Sequence, residues 1–309
     1  MPLTEDTGPL EPIVSRIVND YDSWSHPFER DMLPEKRAMV GIEDTDDRAR
    51  YLTFVACIDY QRDAEALWQK TRRLWDDERW IYEPTTLFEE RSLEELVDLF
   101  REQGMRFGKR DAEIWHQNAE TFYRHYRSTP LKLFEKHDFD APSILKAVRS
   151  DSGFPYLGGE KIGPLWMRLM HEDVHPLSNI TEINIPVDVQ IRKVTKVILG
   201  QEYSDTEIRS FWSQFCVEHG FDPVKVDQPL WLIGTHWNDW GREYLEDQLE
   251  AADVASDRPQ LKVPLREEYG TIDEWLDAVA ASIDVETEVM WEIYDQIDAE
   301  ESEADQSRC

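Results

Sequence analysis

Lys161 and Asp188 are the residues whose types and placement most readily suggest chemistry. A Gly158-Gly159 turn runs into a helix-like stretch that carries Lys161 in its first turn. After a polar break the chain re-enters through Ile185-Pro186-Val187, and Asp188 opens a second amphipathic segment. The spacing leaves room for one helix, a loop, and a second helix whose start returns to the first. An amine and a carboxylate at two helix mouths suit an amine nucleophile with an acidic partner. Each also has a commoner structural use, the lysine as a solvated charge and the aspartate as a helix cap or dipole partner. His171 and His175 are four apart, but Pro176 follows at once and no third ligand is evident, so no metal is expected. Phosphate-binding glycine loops, zinc-protease, esterase and EF-hand motifs are absent, and no cofactor is expected.

The elements that must position these residues read as helices. Ser92–Glu95 and Ser204–Glu207 are capping boxes, each followed by apolar residues at helical spacing and closed by Gly104 and Gly220. Residues 52–74 read as one buried helix, or two meeting near Asp59-Tyr60-Gln61, and residues 110–126 as another with Trp115 and Phe122 inward. Between the helices at 93–102 and 110–126 lies a basic turn, with Arg106, Lys109 and Arg110 after Arg101, able to contact phosphate or simply to be a solvated helix start. Residues 1–45 read as a polar arm whose Trp24 and Phe28 pack on the body, and 46–245 as the main region. Residues 221–244 are rich in Trp and in helix breakers. Residues 246–309 form an extension, with a linker at 246–265, helices near 271–280 and 285–297, and an acidic tail. No convincing period-2 alternation appears, so the expected fold class is all-α.

The 309 residues carry 65 Asp+Glu against 34 Lys+Arg, a formal charge of −31. Such an excess repels polyanions at low salt, but in molar salt that repulsion is screened within about 3 Å. Acid spread over the whole chain favours a salt-adapted protein, so acidity argues only weakly against nucleic acid. Three scattered cysteines exclude a disulfide framework and a four-cysteine iron–sulfur site within one chain. The first residues lack a basic and apolar leader pattern and no apolar run approaches membrane-spanning length, so a cytoplasmic protein with no membrane partner is expected.

Several segments, in order, resemble the helix–hairpin–helix base-excision DNA glycosylases, and most closely the archaeal 8-oxoguanine DNA glycosylase family. They are FVACIDYQRDAEALW (54–68), the hairpin with Lys161, EINIPVDVQIRKVT (182–195) and FWSQFCVEHGFDPVKVDQPLW (211–231). The match covers about residues 50–235. It implies a helix–hairpin–helix fold, Lys161 as Schiff-base nucleophile and Asp188 as catalytic aspartate. Gln61, Asp227 and Trp231 would surround the flipped base, with Leu165 and Trp166 where the family has an aromatic one turn after the lysine. Trp80 is a candidate for the family's other stacking tryptophan. The Gly158-Gly159 hairpin, with Arg106, Lys109 and Arg110, would hold DNA phosphate. The first hairpin glycine of the wider superfamily is Leu157 here.

The resemblance implies a DNA N-glycosylase and AP lyase that removes an oxidised purine, with damaged duplex DNA at high salt as partner. Two other readings stand beside it: an N-glycosylase for another modified nucleoside or nucleotide, and a non-catalytic helix–hairpin–helix nucleic-acid-binding protein. If Arg106, Lys109, Arg110, Lys193 and Lys196 fall on the side of the Lys161 pocket, DNA gains. A pocket ringed by carboxylates favours the small substrate.

Overall fold

The computed structural model describes residues 10–251. Among them are fourteen α-helices and no strand: α1 (Glu11–Asp22), α2 (Pro34–Ala38), α3 (Thr45–Ala56), α4 (Ala64–Asp77), α5 (Pro84–Glu89), α6 (Leu93–Glu102), α7 (Gly108–His125), α8 (Pro130–Lys136), α9 (Ala141–Ser150), α10 (Ile162–Asp173), α11 (Val189–Leu199), α12 (Asp205–His219), α13 (Pro223–Thr235) and α14 (Arg242–Ala251). The all-α expectation holds. No helix among the described residues is long and apolar enough to cross a membrane.

Local rules account for most helix starts. Both capping boxes form, at Ser92 with Glu95 and at Ser204 with Glu207, and each satisfies helix-end amides that would otherwise lack partners. Asp44, Asp63, Asp140, Asp188 and Asp222 cap α3, α4, α9, α11 and α13 through side-chain oxygens. Part of the acidic excess therefore sits where helix dipoles favour negative charge.

Of the two forms the sequence allows for residues 52–74, the structure has two helices, α3 and α4, with the break at Asp59-Tyr60-Gln61. The breaker-rich stretch is nonetheless helical over Pro223–Thr235, with Pro229 in its interior. Burial of Val226, Leu230, Leu232 and Ile233 outweighs the cost of the proline there. The linker expected from 246 begins instead as the end of α14. The helices expected near 271–280 and 285–297 lie outside the described residues. In the N-terminal region Phe28 is buried as expected, but Trp24 is 39% exposed.

The apolar residues form two cores. Helices α3–α10 build the first around Phe54, Trp115, Phe122 and Trp166. The second joins α11–α14 to α1, with Ile13, Ile17, Phe28, Trp212 and Phe215 inside. The N-terminal segment is therefore part of the second core, tied across the sequence by Tyr21 Oη donating to Gln228 Oε1 (2.7 Å), Arg16 donating to the Gln248 carbonyl (3.1 Å) and Tyr244 donating to Asp20 (2.7 Å). The chain crosses between the cores at residues 33–38 and again at 183–187, and a cavity lies at the seam between them.

The loop between α3 and α4, which borders that seam, is anchored by Arg62 in a two-pronged ion pair with Asp111 of α7 (2.6 and 3.1 Å). Asp111 also accepts the Phe107 amide (3.2 Å), and both side chains are almost wholly buried. Removing one partner of such a pair strands the other charge. Asp111→Ala is expected to cost about 3–5 kcal/mol, measured by chemical denaturation in molar KCl, whereas Glu113→Ala on the exposed face of α7 should cost little.

Candidate active site

The cavity measures about 410 Å³, in the range that accommodates a small organic ligand. Four pieces of chain build it: the α3–α4 loop with the head of α4, the face of α10 carrying Lys161, Leu165 and Arg168, the head of α11 with Asp188, and α13 with Asp227 and Trp231. Met32, Pro34, Glu35 and Arg37 close it from the N-terminal side.

Lys161 occupies the N-cap position of α10 and Asp188 that of α11. The two helices bring their side chains together, with Lys161 Nζ 3.7 Å from Asp188 Oδ2. A second carboxylate, Asp59 in the α3–α4 loop, stands 3.9 Å from the same nitrogen. The lysine side chain is 31% exposed, against 16% for Asp188 and 6% for Asp59, so the amine faces the cavity from between two recessed carboxylates. Asp188 is held from both sides. Its Oδ1 accepts the amides of Gln190 (2.9 Å) and Ile191 (3.2 Å), and its Oδ2 accepts the Trp231 indole N–H (3.3 Å). Gly234 allows this approach of α11 and α13, since a Cβ there would lie 2.7 Å from both the Cβ and the carbonyl oxygen of Gln190. Lys193 reinforces the junction by donating to the Gly234 carbonyl (2.8 Å) and to Gln190 Oε1 (2.9 Å).

Behind Lys161 lies a buried triad. Arg168 donates to Asp227 Oδ2 (2.5 Å) and to Glu35 Oε1 (2.6 Å), and all three side chains are at most 7% exposed. Burial works against the charge of Arg168, but its two carboxylate partners win and raise its pKa. Burial pushes Asp227 up to about 7, even with Arg168 pulling the other way, and raises Glu35 as well. Asp227 Oδ1 is buried and has no hydrogen-bond partner. A cavity wall with a spare buried acceptor suits a ligand that brings an N–H, because leaving such a group unpaired is costly.

The sequence expectations divide here. Lys161, Asp188, Leu165, Asp227 and Trp231 all line the one cavity. Two expected base-pocket residues do not. Trp166 is wholly buried in the first core, its indole donating to Thr53 Oγ1 (2.8 Å) and its ring edge-on to Phe134. One residue beyond Leu165 on a helix, it points some 100° away from the cavity face. Gln61 is exposed, in left-handed backbone conformation (φ 48°) at the turn into α4, and lies outside the cavity lining. Trp80 packs against the first core with its indole on Glu78, also outside the lining. Asp227 lies inside α13, whose N-cap is Asp222.

The hairpin and the basic turn stand apart from the cavity. The Gly159 amide donates to the Tyr156 carbonyl (2.8 Å), so the turn itself uses a group expected to hold phosphate. Gly158 is needed for packing, since a Cβ there would lie 3.0 Å from the Arg149 backbone. Lys109 pairs with Glu113 (3.5 Å), and Arg106 lies near the Phe107 ring. Arg149 holds the hairpin directly, its Nε donating to the Gly158 carbonyl (3.0 Å), and of the basic turn Arg110 comes nearest to it. Its guanidinium sits 5.8 Å from the Tyr60 ring and 5.3 Å from that of Tyr156, which is part of the hairpin. Arg106, Lys109, Arg110, Lys193 and Lys196 are all absent from the cavity lining, where six carboxylates face four lysine and arginine side chains. His171 accepts the Leu177 amide and His175 stacks on Phe139, so both hold the turn after α10. No cluster able to hold a metal is found among the described residues.

Sequence reasoning missed Asp59, Arg168 and Glu35. The spacing 161, 165, 168 does mark one helical face, which is the signal that Arg168 belonged beside Lys161. Glu35 arrives from a segment remote in sequence, and nothing local announces it. Neither a family model nor any curated protein sequence matches the chain.

The buried triad sets a pH dependence. Asp227 in the folded protein titrates at about 7, against about 3.9 for an unfolded aspartate. The folded state therefore binds a proton that the unfolded chain lacks, and this group's contribution is fully present below about pH 4 and lost as pH rises through about 7. Asp227→Asn cannot ionise. Its stability relative to the parent protein is expected to improve as pH rises across that window, as read from denaturation midpoints. A difference that does not vary with pH would show that Asp227 does not titrate there.

Proposed function

We propose that the protein is an N-glycosylase with AP lyase activity that removes an oxidised purine, of the 8-oxoguanine type, from DNA through a lysine Schiff base on a helix–hairpin–helix glycosylase fold. The observation that carries this reading is the placement of Lys161 Nζ between two carboxylates at a cavity whose wall holds the unpartnered acceptor Asp227 Oδ1. 8-Oxoguanine differs from guanine by a carbonyl at C8 and an N–H at N7, and a buried acceptor discriminates strongly for that donor. Trp231 offers an aromatic face beside Asp188, worth about 1–3 kcal/mol toward an extruded base. Extrusion from a duplex itself costs a few kcal/mol.

In this mechanism the neutral amine of Lys161 attacks C1′ as the glycosidic bond breaks and the departing base takes the bonding pair. Asp188, fixed by two helix amides and an indole, stabilises the positive charge that develops on the sugar. The bond from nitrogen to C1′ becomes an imine as the sugar ring opens and a proton passes from nitrogen to the ring oxygen. The imine permits β-elimination of the 3′ phosphate. Arg149, on the Gly158 carbonyl, and Arg110, against Tyr60 and Tyr156, are the cations at the hairpin that would meet a strand there. In molar salt the acidic surface repels such a strand only within about 3 Å.

A second reading keeps the chemistry and changes the carrier to a free modified nucleoside. The excess of carboxylates around the cavity and the absence of Arg106, Lys109, Arg110, Lys193 and Lys196 from its lining favour it.

Borohydride trapping in molar KCl separates the readings. Duplex carrying 8-oxoguanine is expected to give a covalent adduct with the parent protein, none with Lys161→Ala, and about 10²–10³-fold less with Asp188→Asn. Undamaged duplex should give none. Base release from the free oxidised nucleoside, without reaction on the duplex, would replace the first reading by the second. Failure of both substrates with folded protein would leave a non-catalytic binding protein.

A further inference from the structure

The geometry points to Asp59 as the group that takes the proton from Lys161, while Asp188 supplies only charge. The inference rests on the reading of Lys161 as an amine nucleophile, and it assigns to the site a second functional carboxylate.

The two aspartates flank one nitrogen at similar distances but differ in what else they hold. Asp188 Oδ1 is occupied by two helix amides and Oδ2 by the Trp231 indole. A proton arriving there would weaken three hydrogen bonds that the charged carboxylate accepts. Asp59 is free of such commitments, and among the described residues no group donates a hydrogen bond to its carboxylate. Lys161 is its one ion-pair partner. The nearby arginines are engaged elsewhere, Arg62 with Asp111 and Arg168 with Asp227 and Glu35. The charged groups that act on Asp59 are thus Lys161 and Arg168 of the α10 segment, Asp188 at the head of α11, and Arg62 in its own loop. Burial is the largest influence on it and Asp188 acts in the same sense. Together they outweigh Lys161 and the arginines and leave the Asp59 carboxyl above the ordinary range.

The proton balance is simple. An N–H bond of the Lys161 ammonium breaks, an O–H bond forms on Asp59, and the freed lone pair makes the bond to C1′. The pair from the broken glycosidic bond leaves with the base. The base then takes up a proton, which returns Asp59 to its carboxylate form. Moving the proton within the pair changes no net charge and involves no exchange with solvent. The fraction of reactive amine is then independent of pH between the two ionisations of the pair. Without Asp59 the amine must lose its proton to water, and its reactive fraction falls about tenfold for each pH unit below its own ionisation.

The test uses the full-length protein in molar KCl with propanal and cyanoborohydride, a small aldehyde that stands in for the opened sugar. Alkylation at residue 161 is followed by peptide mass spectrometry across the neutral range. The parent protein, Asp59→Asn, Asp59→Glu and Asp188→Asn are compared, with circular dichroism to show folding. The rate ratio of Asp59→Asn to the parent is expected to rise about tenfold per pH unit, with Asp59→Glu returning toward the parent profile and Asp188→Asn parallel to it. A ratio that does not change with pH, or an Asp59→Asn protein faster than the parent at neutral pH, would show that Asp59 acts only as a charge. A pH slope in Asp188→Asn alone would reverse the roles. Lys161 alkylated no faster than surface lysines in every protein would remove the nucleophile reading and this inference together. Because the probe contains no base, the outcome is separate from whether an oxidised purine is the substrate.

Discussion

The burial of Arg168 is the constraint on which the rest of the site depends. A guanidinium that is 7% exposed must be paired, and its partners come from segments far apart in the chain. Glu35 lies on α2, where the chain leaves the second core, and Asp227 lies on α13 within it. Arg168 itself belongs to the helix that begins at Lys161. One cation therefore ties the helix of Lys161 to both neighbours that wall the cavity. Isolated buried ion pairs contribute little net stability, but losing one partner is expensive. The triad consequently holds α2, α10 and α13 in one arrangement more than it adds to the folding free energy.

Around that anchor the cavity separates two kinds of carboxylate. Asp188 is surrounded by donors and fixed at a helix start, whereas Asp227 keeps one buried oxygen without a partner and Asp59 holds an ion pair with Lys161. Fixed charge and exchangeable proton are different tasks, and one pair of helix mouths cannot supply both. The α3–α4 loop provides the second carboxylate because Arg62 and Asp111 pin it beside Lys161. The resulting lining is acidic in a protein that is acidic throughout. That is why the chemistry of the cavity argues for a modified purine more strongly than its surface argues for a long polyanion.

The helices were largely legible in the sequence, because their signals are local. Serine–glutamate capping boxes and glycine stops at 104 and 220 mark real boundaries, and Lys161 and Asp188 stand at helix starts as their spacing suggested. Misreadings came where tertiary burial overrode a local signal. Pro229 reads as a breaker but is carried inside a helix by its buried neighbours, and Trp166 reads as a pocket aromatic but turns into the core. Gln61 was placed by its neighbours in the chain, yet the turn that separates α3 from α4 directs it to solvent. Asp59 and Glu35 were invisible for another reason. Their roles arise from segments that meet only in three dimensions.

The second core has a consequence for how the chain is made. Its first contributor, α1, ends at residue 22, yet its partners α13 and α14 lie more than 200 residues later. Contacts of such separation must wait for loop closure and slow folding. During synthesis the apolar face of α1, with Ile13, Val14 and Ile17, emerges long before anything exists to cover it. The first core, drawn from α3 to α10, can assemble in the meantime. The cavity, formed where the cores meet, is then the last part of the described structure to take shape, and a truncated chain would carry Lys161 without the site that gives it a purpose.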